Sequence, residues 1–411
     1  MNINRNIIGS DSFVGGSKAE TKAALRAAVE MIAEGAAERE SNRIMPFDIV
    51  NRLKKQRVGA LRLSVEDGGA GFTMRELFEF VIDLAGADSN IAHIFRNHFS
   101  ITEFILRYKH DEGRRFWLKK IADGQIFSLA SGERGTRNTG GGTGFSTSLV
   151  QTPDGLRLDG EKYYCTGTIF ADWMQVNASA AYGDVVAFVP TGRQGVTTID
   201  DWDGMGQRLT GSGTTKFENV HVEPLELVSH PTGPGKTLIT TSKMYHVYLT
   251  AVIVGILEGG LKESVTYLKG RKRTFSNAAS MKPVEDPLLQ ALIGQISSTA
   301  AAARAMIFEA VDALADIQEA YISGVPTAEL VHLSLFKADQ AKVFVDSAVV
   351  EATSKLMDVG GASGAMRSRN MDRHWRNAKT ISLHNPALYR ARGVGSYLIN
   401  GEPLPGAMID G

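Results

Sequence analysis

The spacing of apolar residues changes twice along the chain, and those changes divide it into three stretches. From 17 to 122, apolar side chains recur at helical intervals. "SKAETKAALRAAVEMIAEGAAERE" predicts a helix with Ser17 as its N-cap, and "PFDIVNRLKKQRV" a second with Pro46 in its first turn. The glycine-rich "VEDGGAGFT" (65–73) interrupts as a loop, after which "TMRELFEFVIDLAGADSNIAHIFRNHFSITEFILRY" resumes the helical period. From about 124 to 228 short runs such as "GLRLDGEKYYCTG", "DVVAFVPT" and "TTKFENVHVEP" are rich in β-branched and aromatic residues. Gly, Asp and Pro bound these runs, which predict a small antiparallel sheet or barrel. Long helices return from 235, over about 236–271, 287–323 and 327–358, with shorter pieces to about 398. Strands and helices are grouped and do not alternate, so a parallel βαβ fold does not fit. The expectation is an α+β, mainly α, protein: an N-terminal helical domain (1–123), a central antiparallel β-barrel domain (124–231) and a C-terminal helical bundle (232–411).

Composition narrows the function classes. A chain of 411 residues has room for two or three domains, and 43% hydrophobic with 22% charged residues is ordinary for a soluble globular protein. The formal net charge of zero argues against a nucleic-acid or anionic-membrane partner. A single cysteine, Cys165, leaves no disulfide framework and no cysteine metal site within the chain, which suits a reducing cytoplasm. It reads as a small buried hydrophobe within a strand. "MNINRNIIGSDSF" lacks an apolar signal core, so export is not expected. The apolar run "VYLTAVIVGIL" (247–257) is too short to span a bilayer and reads as a buried core helix.

Several chemical motifs are incomplete. "GERGTRNTGGGTG" (132–144) lacks the Gly-Lys-Ser/Thr ending of a phosphate loop and reads as a flexible loop. "ELVH" (329–332) has the Glu-x-x-His spacing of di-iron bundles but no second copy, and reads as a solvated helix face. His93 and His98 lie five apart, which misses the i, i+4 alignment of a zinc pair, so no metal is expected. On pattern alone His93 is a lone helix histidine, more often structural than functional. The polar stretch "DRHWRNAKTISLHNP" (372–386) interleaves charged residues with Trp375, Ile381 and Leu383, so it packs against something. Whether its His384 works chemically is not decided by pattern.

Five stretches in order are similar to the acyl-CoA dehydrogenase superfamily, and the match covers nearly the whole chain. They are "LRLSVEDGGAGFT", "LDGEKYYCTGTIFADWMQV", "TGSGTTKFENVHVEP", "YLKGRKRTF" and "DVGGASGAM…DRHWRNAKTISLHNP". The fold implied is a helical domain, a β-barrel and a four-helix bundle. Dehydrogenases of this family often carry a catalytic glutamate in an Arg-Asp…Tyr-Glu-Gly segment. Aligning Arg376-Asn377 with that Arg-Asp puts His384 at the tyrosine and Asn385 at the glutamate, and an amide has no basic form. "DRHWRNAKTISLH" and "SNIAHIFRNHF" instead resemble the flavin-dependent monooxygenase branch of the superfamily, the dibenzothiophene monooxygenase-like two-component enzymes.

That resemblance implies a monooxygenase that uses reduced FMN rather than FAD, supplied by a separate NAD(P)H-dependent flavin reductase, and O2. A C4a-hydroperoxyflavin would oxygenate a small sulfur- or nitrogen-containing substrate. It further implies a homotetramer. His93, His384 and Thr166 would be catalytic. Tyr164, Thr166, Ser131, Phe275 and Ser363 would border the flavin, and Arg273 would hold its phosphate across a subunit interface. Trp202 would cover the ring or, equally, plug the barrel. Asn97, Leu129 and Asn385 would line the substrate pocket. Three positions depart from the branch: Asn97 stands where an aromatic is frequent, Leu129 where a polar residue is frequent, and Ile381 where the dibenzothiophene enzyme has a second histidine. The competing expectations are an FAD-dependent acyl-CoA dehydrogenase and a helical scaffold that has lost its cofactor.

Overall fold

The computed structural model describes residues 14–134, 144–229 and 243–404. Six helices come first: α1 (Lys18–Ala33), α2 (Ala36–Asn42), α3 (Phe47–Lys55), α4 (Met74–Ile94), α5 (Arg96–Leu106) and α6 (Asp111–Ala122). Ser17 caps α1 in a full capping box with Glu20, while Pro46 sits at the N-cap of α3, one position before its first turn. The apolar period through α4 hides a break. Asp88 leaves the helical region (φ −153°, ψ 104°), and its carboxylate accepts from the Asn90 backbone N–H at 3.1 Å. Asp88 therefore caps a second, short helical segment that carries His93.

Eight strands follow: β1 (Phe127–Ala130), β2 (Ser148–Thr152), β3 (Gly155–Lys162), β4 (Trp173–Ala180), β5 (Gly183–Pro190), β6 (Val196–Thr198), β7 (Thr215–Val222) and β8 (Leu227–Ser229). They form one sheet in the order β6-β7-β3-β2-β4-β5-β8, with β1 paired to β4. The sheet is mixed rather than purely antiparallel, because β1 runs parallel to β4. The β2–β3 hairpin intervenes between them in sequence, and a connection of that length lets the chain return in the same direction. Cys165 lies in the turn after β3, not within a strand, and is buried there; burial pushes its thiol up to about 12. Of the glycine-rich stretch 132–144, residues 135–143 lie outside the described residues, as does the expected start of the next helix before 243.

The last region holds α7 (Met244–Gly270), α8 (Pro287–Ser323), α9 (Ala328–Phe344), α10 (Val350–Gly360), α11 (Arg373–Ser382) and α12 (Ala387–Asn400). A π-helical turn at Val345–Val349 joins α9 to α10, so the expected helix over 327–358 is not continuous α-helix. The His332 ring of the 329–332 stretch lies 4.1 Å, centroid to centroid, from Tyr397 on α12, so this position packs rather than standing free in solvent. The 247–257 run is the core of the longer α7. By length and composition α7 and α8 are both apolar enough to cross a membrane, but α7 is mostly buried within the fold.

The crossing of α4 and α7 positions the site. A Cβ added to Gly259 would stand 2.1 Å from the Gly86 carbonyl oxygen, and one on Gly255 would stand 2.4 Å from that of Ile82. The two backbones are in direct contact, which only glycine permits. The Tyr248 hydroxyl donates to the Ala92 carbonyl at 2.9 Å and ties the same pair of helices again. The C-terminal end of α4 is thereby held beside the N-terminal end of α7.

Candidate active site

His93 is buried at the α4 end. Its Nδ1 lies 3.0 Å from Gln207 Oε1, and Gln207 Nε2 donates to Ser89 Oγ at 2.9 Å. Nδ1 therefore carries the proton, and Nε2 is a bare lone pair. No group among the described residues partners Nε2. Burial, reinforced by Arg96, pulls the His93 pKa down to about 3, so the ring is a neutral base at working pH. Gln207 is held to this task from several sides. Its backbone is left-handed (φ 53°), its N–H donates to Asn377 Oδ1 of α11 at 2.6 Å, and its carbonyl accepts from Trp202 Nε1 at 3.0 Å. His98 provides a contrast. Its Nε2–H donates to the Gly59 carbonyl at 2.9 Å, its Nδ1 accepts from the Phe127 N–H at 3.2 Å, and nothing remains for a ligand.

Arg96 begins α5 and points toward the turn between α11 and α12. Its Nη1 lies 3.2 Å from His384 Nε2, and its Nε donates to Asn97 Oδ1 at 3.1 Å. Arginine only donates, so His384 Nε2 accepts and Nδ1 carries the ring proton. One atom of the Asn385 side-chain amide lies 3.0 Å from His384 Nδ1 and 3.3 Å from His246 Nε2. With Nδ1 protonated, that atom must be the carbonyl oxygen, accepting from both rings. The remaining His246 Nδ1 has no partner among the described residues. His384 reaches solvent, with Arg96, His246 and Asn385 packed around it. Desolvation first, then the surrounding cations, hold His384 and His246 well below the ordinary histidine pKa.

A row of hydroxyls forms the next wall. Asn97 Nδ2 donates to the Thr166 carbonyl at 3.1 Å, and Thr166 Oγ1 lies 2.8 Å from Ser212 Oγ. Ser212 Oγ lies 2.7 Å from Thr210 Oγ1, which donates to the Gln207 carbonyl at 2.8 Å. Since Thr210 spends its hydrogen on Gln207, Ser212 donates to Thr210, and Thr166 donates to Ser212. Thr166 Oγ1 can therefore only accept from a ligand.

The structure brings His93, Asn97, Thr166, His384 and Asn385 together. Tyr164 is 63% exposed with its ring 5.9 Å from Trp202, which hydrogen-bonds Gln207, so both rings stand beside the same cluster. Leu129 pairs in β1 with Gln175 of β4, and Tyr245 at the start of α7 donates to Gln175 Oε1 at 3.4 Å. Ser131 accepts from Asn177 Nδ2 at 2.9 Å just beyond β1. Arg273, Phe275 and Ser363 do not join them in the same chain. They lie past the far end of α7, beyond Gly270, and the helix from His246 to Gly270 is about 36 Å long. There all three are exposed, and the rim of the Phe275 ring comes 3.6 Å from a Cβ built on Gly361, in the turn that carries Ser363. The sequence reading did not single out Arg96, Gln207, Ser212, Tyr245 or His246. The one signal was the cationic residue between His93 and Asn97.

An acyl-CoA dehydrogenase N-terminal domain model matches residues 18–125 and a C-terminal domain model of the same family residues 247–387, together more than half of the chain. The chain is 29% identical to dibenzothiophene monooxygenase of Rhodococcus qingshengii over 366 residues, 85% of this chain and 86% of that protein. It is 27% identical to a probable FMNH2-dependent monooxygenase (SfnC) of Pseudomonas putida over 381 residues, 91% and 93% of the two chains. FMN-bound TdsC from Paenibacillus sp. A11-2 superposes with a TM-score of 0.85 at 26% identity, covering 94% of this chain and 98% of that one. Methanesulfinate monooxygenase MsuC of Pseudomonas fluorescens superposes with a TM-score of 0.83 at 26% identity, covering 93% and 98%.

Proposed function

We propose that this chain, which belongs to the flavin-dependent monooxygenase branch of the acyl-CoA dehydrogenase superfamily, is an FMNH2-dependent monooxygenase that oxygenates a small sulfur compound. The observation that carries this reading is the buried His93 Nε2, a neutral acceptor without a partner among the described residues, in a ring whose Nδ1 is linked through Gln207, Thr210 and Ser212 to Thr166. The groups present fit a flavin: an acceptor-only hydroxyl at Thr166, and beside it the exposed ring of Tyr164 and the half-buried ring of Trp202. An acceptor at Thr166 suits the reduced ring, whose N5 bears a hydrogen. When bound, reduced FMN would supply the electrons that activate O2, as a C4a-hydroperoxide in the finer form of this proposal, with a separate reductase renewing it.

The chain's own residues do the rest. His93 takes or returns a proton at Nε2, and Gln207 fixes the tautomer that leaves Nε2 bare. His384 has both nitrogens engaged by Arg96 and Asn385, so its part is to orient Arg96. Burial around Asn97, Thr166 and Ser212 keeps water from the reacting atoms. Arg273, with Phe275 and Ser363, would serve a flavin in a neighbouring subunit. A homotetramer would supply that neighbour and would cover the exposed part of α8 near Leu288, which is 75% exposed in the single chain. The dehydrogenase alternative gains nothing from the site, since Asn385 supplies an amide between two imidazoles where a carboxylate base is needed.

The test is turnover with chemically reduced FMN and O2 across a panel of sulfur and nitrogen compounds. Oxygenated product from a sulfur compound, dependent on both FMNH2 and O2, is expected. Reduction of an electron-accepting dye by an acyl-CoA, without O2-dependent product, would overturn the reading.

A further inference from the structure

We infer that the site around Arg96 takes a small organic sulfinate as its substrate, with the Arg96 guanidinium binding the sulfinate oxygens. The inference rests on the proposed oxygenation of a sulfur compound and names the class of that compound.

Arg96 is a buried cation without a counter-ion. It is 4% exposed, its hydrogen bonds go to the neutral groups Asn97 Oδ1 and His384 Nε2, and it makes no ion pair among the described residues. The two internal stretches outside the described residues, 135–143 and 230–242, contain no Asp or Glu. Several other buried cations are compensated: Arg62 pairs with Glu103 at 2.6 Å, Arg39 with Asp88 at 3.1 Å and Lys162 with Glu133 at 2.7 Å. An uncompensated buried charge is expensive, and an anion completes it.

The surroundings add to the imbalance. Lys243 and Arg390 share Asp339, at 3.3 and 3.8 Å, and Lys342 pairs with Asp346 at 2.6 Å. With Arg96, four cations around His246 and His384 face two carboxylates. The chain as a whole carries no net charge, so the excess is local.

The form of the anion follows from the chemistry. A guanidinium fork matches two oxygens on one centre. The proposed oxygenation also needs a nucleophilic lone pair on sulfur, which a carboxylate lacks and a sulfinate has. The step balances: one atom of O2 forms the new sulfur–oxygen bond and gives a sulfonate, and the other leaves as water. Two electrons come from the sulfur lone pair and two, with two protons, from FMNH2. Asn97 fits the same picture. It stands where the resemblance expects an aromatic, and it supplies the oxygen that holds Arg96 Nε in place of an apolar face for a heterocycle.

The experiment titrates sodium methanesulfinate into the purified full-length protein, with and without saturating FMN. Acetate, neutral dimethyl sulfoxide and dibenzothiophene are compared, and FMN affinity is measured separately. The wild type is expected to bind methanesulfinate at least tenfold more tightly than acetate or dimethyl sulfoxide. Arg96→Met should lose tenfold or more of that affinity and Arg96→Lys less, with FMN affinity and the melting curve retained. Equal binding of acetate, preference for dibenzothiophene, unchanged sulfinate affinity in Arg96→Met, or loss of FMN affinity in that variant would each overturn the inference. Failure of the wild type to bind FMN at all would instead sink the proposed function.

Discussion

Two polar clusters flank α11, and they treat buried charge in opposite ways. On one side Glu40, 2% exposed, accepts from Arg376 at 2.6 Å and from Asn370 Nδ2 at 2.6 Å, while Asp372 holds Arg376 from the other side at 2.7 Å. Every charge there has a partner, and the cluster ties α2 to α11. On the other side Arg96 is equally buried, but neutral imidazole and amide groups surround it. The first cluster is finished as it stands; the second leaves a buried cation for the proposed anion to complete. Burial of charge is therefore a poor marker of function by itself, and the missing counter-ion is the informative feature.

The sharpest way to break this comparison is through His93. His93→Ala should lower the oxygenation rate by about 100- to 10,000-fold, the usual worth of a positioned acid–base group, with little loss of stability. Steady-state kinetics beside a thermal melt checks both parts. Next in size, Glu40→Ala takes from the half-buried Arg376 its buried carboxylate, leaving it Asp372 and Asn370, and should destabilise the fold by about 1–3 kcal/mol, whereas Arg96→Met should be neutral or stabilising. Urea unfolding of the two variants decides it, and equal destabilisation would erase the distinction between the clusters.

A smaller effect is expected from pH. His93 and His98 are neutral in the fold, with pKa values pulled by burial to about 3 and about 4, while in the unfolded chain they protonate near 6.5. The unfolded state therefore binds more protons below pH 6.5. The stability they contribute is whole above that pH and falls as pH drops toward 4, by up to about 1.4 kcal/mol per pH unit for each ring. Unfolding free energies at pH 7, 6 and 5 measure the slope, and a flat profile would mean that the rings are charged in the fold. Smallest of all, Thr166→Val removes one neutral hydrogen bond, about 1 kcal/mol, and should weaken reduced more than oxidised FMN. Parallel titrations of the two flavin forms check it.

Much of the fold was legible because it is written in local signals. The Ser17 capping box, the apolar period of α4 and the Pro287 start of α8 all act within a few residues. The break at Asp88 was not legible, because the apolar period continues through it and only the carboxylate's turn back to Asn90 marks it. The parallel entry of β1 is likewise set by a distant partner, β4. In the site, His93, Thr166 and His384 came from the resemblance. Their division of labour did not, because it depends on groups far apart in sequence. Gln207, which fixes the His93 tautomer, is 114 residues away, and Arg96, which occupies His384, is 288 residues away. Equally, sequence alone could not separate His93 from His98, five residues apart, since the difference lies in which ring nitrogens the fold has already used.

The measurement that bears most directly on the account is mass spectrometry of the product formed from a sulfur substrate with FMNH2 under 18O2. The account predicts one labelled oxygen atom in each product molecule. Product whose new oxygen comes from water, or flavin chemistry that proceeds without any transfer of label, would contradict it.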